Sequence, residues 1–271
     1  MRERHIDASN QTIYGSLAKF LESPGHPSGV LTVMYRGIPI DILYEPRGFA
    51  TTTVFFHPAV VRAKFPVFIG GGVSEKLPTN RIFISDPSLY LSEELRLAWY
   101  AGNYRQEKLQ WALRGILKAL IPSGQRVVMF GASGGGFASL YYAAHYPGAV
   151  AVPINPQTNL ANYLRGAVDK YGHIGWRLSG LGLAPRIPAT TDLIQLYRRS
   201  RDVSVLYLQN RNDLTHMSGH FEPFMNALPD GHRVRPILVD GPRGHHPPEK
   251  EVTKAVLSAA ITGEELARIA S

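Results

Sequence analysis

Apolar residues arrive along this chain first in short β-branched runs and later in longer helical stretches. Residues 30–35, 38–44 and 52–57 are three strand-like runs, separated by Arg36-Gly37 and by Pro46-Arg47-Gly48. Runs bounded by such turn residues read as strands, and the two-residue break makes the first pair a hairpin. Residues 81–85 read as a fourth strand. Residues 92–100 and 104–120 carry apolar side chains at helical spacing, which predicts two helices. A strand over 126–130 then leads into a stretch rich in alanine, leucine and tyrosine, 137–145, stopped by Pro147-Gly148. Residues 150–154, 203–209 and 233–239 supply three more strands, 221–228 a short helix and 249–261 a closing helix. Eight strands in an antiparallel-then-parallel order, interleaved with helices and free of repeats, predict an α/β architecture.

The junction RVVMFGASGGGFASLYY, residues 126–142, carries the main chemical signal. An apolar strand runs straight into small residues with Ser133 at their centre, and Gly131-Ala132-Ser133-Gly134-Gly135 fits G-x-S-x-G. A serine held in a sharp strand-to-helix turn projects its hydroxyl above the sheet, and glycine two positions to either side lets neighbouring backbones approach. The helix N-terminus that follows offers free N–H groups and a positive dipole end to an oxyanion. Two other readings compete: a glycine-rich turn without chemistry, and a dinucleotide-binding turn. Phe137 stands where the last glycine of the second belongs, and no acidic residue closes the strand over 151–155. The Gly-Lys-Ser/Thr ending of a phosphate-cradling loop is missing too. The residues favour a nucleophile elbow.

Composition narrows the classes. With 271 residues, 44% of them hydrophobic, the chain can bury one large core and needs no second domain, so 1–271 reads as a single unit. There is no cysteine, which excludes disulfides and thiolate metal sites. The opening MRERHIDASNQT has charge but no apolar stretch behind it. Neither a signal peptide nor a membrane span is therefore expected, and a cytoplasmic location is the default. The formal net charge of +8 favours anionic partners, yet the basic residues are spread over 96–126, 165–211 and 233–243. That distribution reads as a solvated basic surface rather than a nucleic-acid face.

The strand, elbow and helix at 126–145, an acidic residue after a later strand and a Gly-His after the last one together resemble the α/β-hydrolase superfamily. The resemblance implies an α/β-hydrolase fold, with a mostly parallel sheet of about eight strands flanked by helices, and a triad in the order serine, acid, histidine. On this chain the serine is Ser133. The acid falls in QNRNDLTH after the strand at 203–209, which makes Asp213 the candidate. The histidine falls in DGPRGHHPPEK, which makes His245 the first candidate and His246 the second. Each has a plainer reading, Asp213 as a helix cap and the histidines as loop residues held by prolines. Asp240 is the rival acid but shares a loop with His245, while Asp192 and Asp202 precede the strand they would have to follow. Adjacent histidines also raise a metal site, but no further histidine or carboxylate lies at ligand spacing nearby. Neither a metal nor a cofactor is expected.

The resemblance also implies an oxyanion hole whose first donor is the residue after the nucleophile, Gly134. Many esterases carry His-Gly-Gly after the third strand. Here that place reads Phe56-His57-Pro58-Ala59, and proline has no N–H to give. His57 and Ala59, with Val60 beyond them, are the remaining candidates. Residues 156–202, between two strands, are too long for a simple crossover and stand where the superfamily inserts its cap. Tyr163, Tyr171 and Trp176 lie there among several arginines without a long apolar stretch, which points to a small or anionic ester with a short acyl group. The elbow, with Asn155-Pro156-Gln157 after the next strand, also resembles hydrolase-like proteins of bacterial capsule biosynthesis and accessory secretion, implying an O-acyl ester on a glycan. The expected function is a serine hydrolase that cleaves a carboxylic ester through an acyl-enzyme. The alternative is a non-catalytic hydrolase-fold protein that binds a glycan or a partner protein.

Overall fold

The computed structural model describes residues 2–200 and 203–264. The strands are β1 (Gln11–Tyr14), β2 (Gly29–Tyr35), β3 (Ile38–Glu45), β4 (Thr51–Phe56), β5 (Asn80–Ile84), β6 (Arg126–Ala132), β7 (Val150–Ile154), β8 (Ser204–Asn210) and β9 (Arg233–Val239). They form one nine-stranded sheet in the order β1-β2-β3-β5-β4-β6-β7-β8-β9. Only the β2–β3 and β3–β5 pairings are antiparallel. The expected hairpin turns at Arg36 and Gly37, with φ of 49° and 75°, the two positive values that match strand twist. The strand absent from the sequence reading is β1, whose four residues are too few to show a period.

Both faces of the central strands are buried. On β6, Val127 and Met129 join the core formed with the helices Leu109–Leu120 and Gly134–Ala144, while Val128 and Phe130 join the core formed with the closing helix Lys250–Thr262. A strand covered on both sides reads as one apolar run, and each such side chain contributes about 1.5–3 kcal/mol on leaving water. The parallel register sets Ala132 beside Ile154, Ile154 beside Leu208 and Asn210 beside Val239. The loops after β6, β7, β8 and β9 therefore leave the same edge of the sheet.

Residues 92–100 are not the helix that their periodicity predicts. The chain there is irregular, and it ends with Trp99 and Tyr100 at φ of 52° and 56°. Tertiary partners hold it that way. The Tyr100 N–H donates to Asp86 at 2.8 Å, its hydroxyl accepts from the His57 N–H at 2.7 Å, and its carbonyl accepts from the Tyr142 hydroxyl at 3.2 Å. The next helix begins at Leu109 rather than near 104, because the Asn103 side chain accepts from the N–H groups of Arg105 and Gln106 and closes a turn first. Within 156–200 the main element is the helix Arg165–Trp176, which covers that irregular stretch. Tyr171 donates to the Gly102 carbonyl at 2.6 Å, and the Gly175 carbonyl accepts from the Tyr104 N–H at 2.7 Å. Residues 201 and 202, Asp202 included, lie outside the described residues. Among the described residues no helix is long and apolar enough to cross a membrane.

Candidate active site

Ser133 sits between β6 and the helix Gly134–Ala144 at φ 54° and ψ −116°. A Cβ on Gly131 would meet the Gly135 carbonyl oxygen, and one on Gly135 would meet that of Phe56, each at 2.2 Å, so the glycines at the first and last places of the pentapeptide are sterically required. The Ser133 N–H donates to the Ile154 carbonyl at 2.9 Å, which ties the turn to the end of β7. Only 6% of the residue is exposed. Its hydroxyl accepts a hydrogen bond from the Gln157 side-chain amide at 2.8 Å.

Asp213 follows β8 and is buried. Its Oδ1 caps the short helix Leu214–His216 by accepting from the His216 N–H at 3.2 Å, and its Oδ2 accepts from His245 Nδ1 at 2.7 Å. The plain cap reading and the triad reading of Asp213 thus describe two oxygens of one carboxylate. Burial alone would raise its pKa. The hydrogen bond from His245, the nearby His216 and the N–H of the cap outweigh this and hold the carboxyl below its ordinary value. His245 lies on the loop after β9, which Asn155 anchors by donating to the His246 carbonyl at 2.8 Å while accepting from the Asn210 N–H at 2.8 Å. The His246 side chain is exposed. Asp240 pairs with Arg211 at 3.1 Å with 74% of its side chain exposed. Among the described residues no hydrogen bond joins Ser133 to His245.

A second imidazole reaches the same carboxylate. His216 Nδ1 lies 3.0 Å from Asp213 Oδ2, off the line of a proper hydrogen bond, and the rings of His216 and His245 stack at 4.0 Å and 13°. Burial lowers the His216 pKa to about 4. One donor atom from each of Asp213, His216 and His245 lies within 4.8 Å of the others, a spacing seen around metal ions. Nearly parallel rings cannot aim their in-plane lone pairs at one ion, so the trio is poorly shaped for that use.

No protein-family model matches the sequence, and no curated protein matches it. Solved structures do. The capsule O-acetyltransferase of Neisseria meningitidis serogroup A is similar over 89% of this chain and 98% of its own, at 16% identity and a TM-score of 0.59. An S-formylglutathione hydrolase from Agrobacterium tumefaciens is similar over 87% of this chain and 93% of its own, at 13% and 0.56. A dienelactone hydrolase from Anabaena variabilis is similar over 88% and 97%, at 15% and 0.57. This chain has the α/β-hydrolase fold.

The loop after β4 lies against the elbow, since a Cβ on Gly135 would meet the carbonyl oxygens of Phe56 and His57, and its donors sort themselves. The His57 N–H is committed to Tyr100. The His57 ring donates from Nδ1 to the Pro58 carbonyl at 2.7 Å and accepts at Nε2 from the Asp86 N–H at 3.0 Å. Burial holds that ring neutral, with a pKa of about 4. His57 therefore braces the loop and has no N–H to spare. The Val60 N–H is taken by the Arg96 carbonyl at 2.8 Å. Among the described residues the N–H groups of Ala59 and Gly134 meet no protein acceptor. The Gly70-Gly71-Gly72 run opens a short helix, Gly71–Ser74.

Two grooves lie at different distances from this arrangement. One of about 270 Å³ is lined by Leu160, Tyr163 and Arg165 among others, and the Tyr163 ring stands edge-on to Trp99 at 5.9 Å and to His216 at 6.0 Å. A larger one, about 640 Å³, includes Trp111, Arg114 and Tyr146 at the far end of the helix that starts at Ser133. At 1.5 Å per residue that end lies roughly 16 Å from Ser133. Sequence reasoning misses the working parts of Trp99, His216, Asn155 and Gln157. Asn155-Pro156-Gln157 at the end of β7 was the available signal for two of the site's polar residues, whereas Trp99 lay hidden in a helical pattern.

Proposed function

We propose that this protein is a serine enzyme of acyl chemistry, a hydrolase of short O-acyl esters on a polar or anionic glycan. The observation that carries the reading is a serine in a strained strand-to-helix turn, beside a buried carboxylate bonded to a histidine on a neighbouring loop. Unaided, a serine hydroxyl is scarcely nucleophilic at neutral pH. His245 takes its proton as Oγ attacks the ester carbonyl, and Asp213 holds the imidazole in the Nδ1–H tautomer and stabilises the imidazolium. The N–H groups of Gly134 and Ala59 receive the oxyanion at the N-terminus of the elbow helix. His245 then protonates the leaving alcohol, and water repeats the sequence to release the acid. Residues 156–200 form a cap, and the groove beside Tyr163 and Arg165 takes the acyl group and the polar body of the substrate.

A second reading exchanges water for a sugar hydroxyl. The similar structures include the capsule O-acetyltransferase, one of them in complex with CoA, and the same acyl-enzyme discharged onto an alcohol gives transfer instead of hydrolysis. A fluorophosphonate probe with peptide mapping tests the common core: labelling is expected on Ser133 alone and absent in Ser133→Ala. An unlabelled wild-type protein would leave the non-catalytic binding reading in its place. Release of acetate from an acylated glycan, measured against transfer of acetyl from acetyl-CoA to the deacylated glycan, separates hydrolysis from transfer.

A further inference from the structure

Two histidines converge on Asp213, and only one of them can serve as a base for Ser133. Their rings are stacked and both turn Nδ1 toward the same Oδ2, so both present Nε2 on the far side of the ring. The Gln157 amide lies between the inner ring and the serine. Its Nε2 is 2.8 Å from Ser133 Oγ and 3.0 Å from His216 Nε2, while its Oε1 accepts from the Trp99 indole N–H at 3.1 Å. Indole nitrogen is a donor only, so the amide cannot be turned round without setting two donors against each other. Both hydrogens of the Gln157 nitrogen are thereby spoken for, one on Oγ and one on His216 Nε2. A ring that accepts at Nε2 and stays neutral carries its proton on Nδ1, facing Asp213.

We propose that Gln157 is a positioning residue that locks His216 as a neutral Nδ1–H acceptor and so assigns the base role to His245. The inner ring has no free lone pair for the serine proton and an amide standing in its way. The serine oxygen, already accepting from Gln157, has its own O–H left to donate, and the outer ring has the unoccupied Nε2. His216 remains as a flat, uncharged surface beneath His245, which the buried environment keeps from competing for the charge of Asp213. This inference rests on the serine-enzyme reading only for its kinetic part.

The test has one arm without substrate and one with it. In full-length protein labelled with 15N-histidine, the His216 ring, identified by its loss in His216→Phe, is expected to be the neutral Nδ1–H tautomer at pH 7. An Nε2–H tautomer or an imidazolium there would overturn the proposal. In turnover of p-nitrophenyl acetate, His245→Ala is expected to keep only a small residual rate, because His216 is blocked. Adding Gln157→Ala frees that ring and is expected to raise turnover about 10-fold above His245→Ala alone, a fraction of what a positioned base supplies, and adding His216→Phe should remove the gain. A double variant no faster than His245→Ala overturns the assignment. A wild-type protein without turnover would sink the hydrolase reading instead, because the tautomer is read without substrate.

Discussion

Replacing Ser133 by glycine and by alanine separates the strain of the elbow from its chemistry. At φ 54° and ψ −116° the backbone suits glycine and not a residue with a Cβ, and holding a non-glycine residue in such a region costs about 1–3 kcal/mol. Both substitutions delete Oγ and leave one buried N–H of Gln157 without its acceptor, a loss of about 1–3 kcal/mol that cancels between them. Glycine alone relieves the strain, and it loses about 0.5–1 kcal/mol through the greater freedom of its unfolded chain. Ser133→Gly is therefore expected to be more stable than Ser133→Ala by about 1 kcal/mol at the middle of these ranges, and by about 2.5 kcal/mol at most. Urea unfolding followed by circular dichroism at pH 7.5 measures the difference, with equal m-values as the check that the unfolded states match. Neither variant should react with a fluorophosphonate. Alanine above glycine would refute the claim of strain at Ser133, and labelling of either variant would place the reactive serine elsewhere.

Steady-state kinetics should show Asp213→Asn reduced by about 10⁴, the scale on which a triad suffers from the wrong imidazole tautomer. Asp240→Asn should stay within about twofold, since its exposed pair with Arg211 is worth little; a larger loss at Asp240 would misplace the acid. Stability should fall as pH drops from about 6.5, the ordinary histidine value, towards 4. Burial lowers His57 and His216 to about 4 and His220 to about 3, so the unfolded chain binds more protons than the folded one across that window. Burial raises Asp86 to about 6, and that single group works the other way, its contribution fading as pH rises to that value. A urea midpoint that is flat or rises on acidification would contradict the three buried neutral rings. Finally, p-nitrophenyl acetate and butyrate should be cleaved faster than decanoate and palmitate, and turnover of an acidic acylated glycan should fall with added salt. A steady rise in kcat/KM with chain length, at about 0.8 kcal/mol per buried methylene, would reject the short-acyl groove, and salt-independent turnover would reject the electrostatic part.

The parallel sheet and the elbow are legible in the sequence because their causes are local. Strands buried on both faces must be continuous apolar runs, as β6 and β7 are, and a turn in which two backbones nearly touch must have glycine where Gly131 and Gly135 stand. Asp213 and His245 are legible through their order after successive strands, since parallel strands deliver the loops after β8 and β9 to the same edge as Ser133. The course of residues 92–100 is not, because its apolar spacing suits a helix while its polar atoms are claimed by Asp86, His57 and Tyr142 from distant parts of the chain. The same holds for the amide at the centre of the site. Gln157 is 24 residues from Ser133, 58 from Trp99 and 59 from His216, and no periodicity or turn rule links positions so far apart. Only the folded chain brings a donor-only indole, an amide and a second histidine together. Which of the two rings can take the serine proton follows from that meeting, because a hydrogen-bonded network has its direction set by every partner at once.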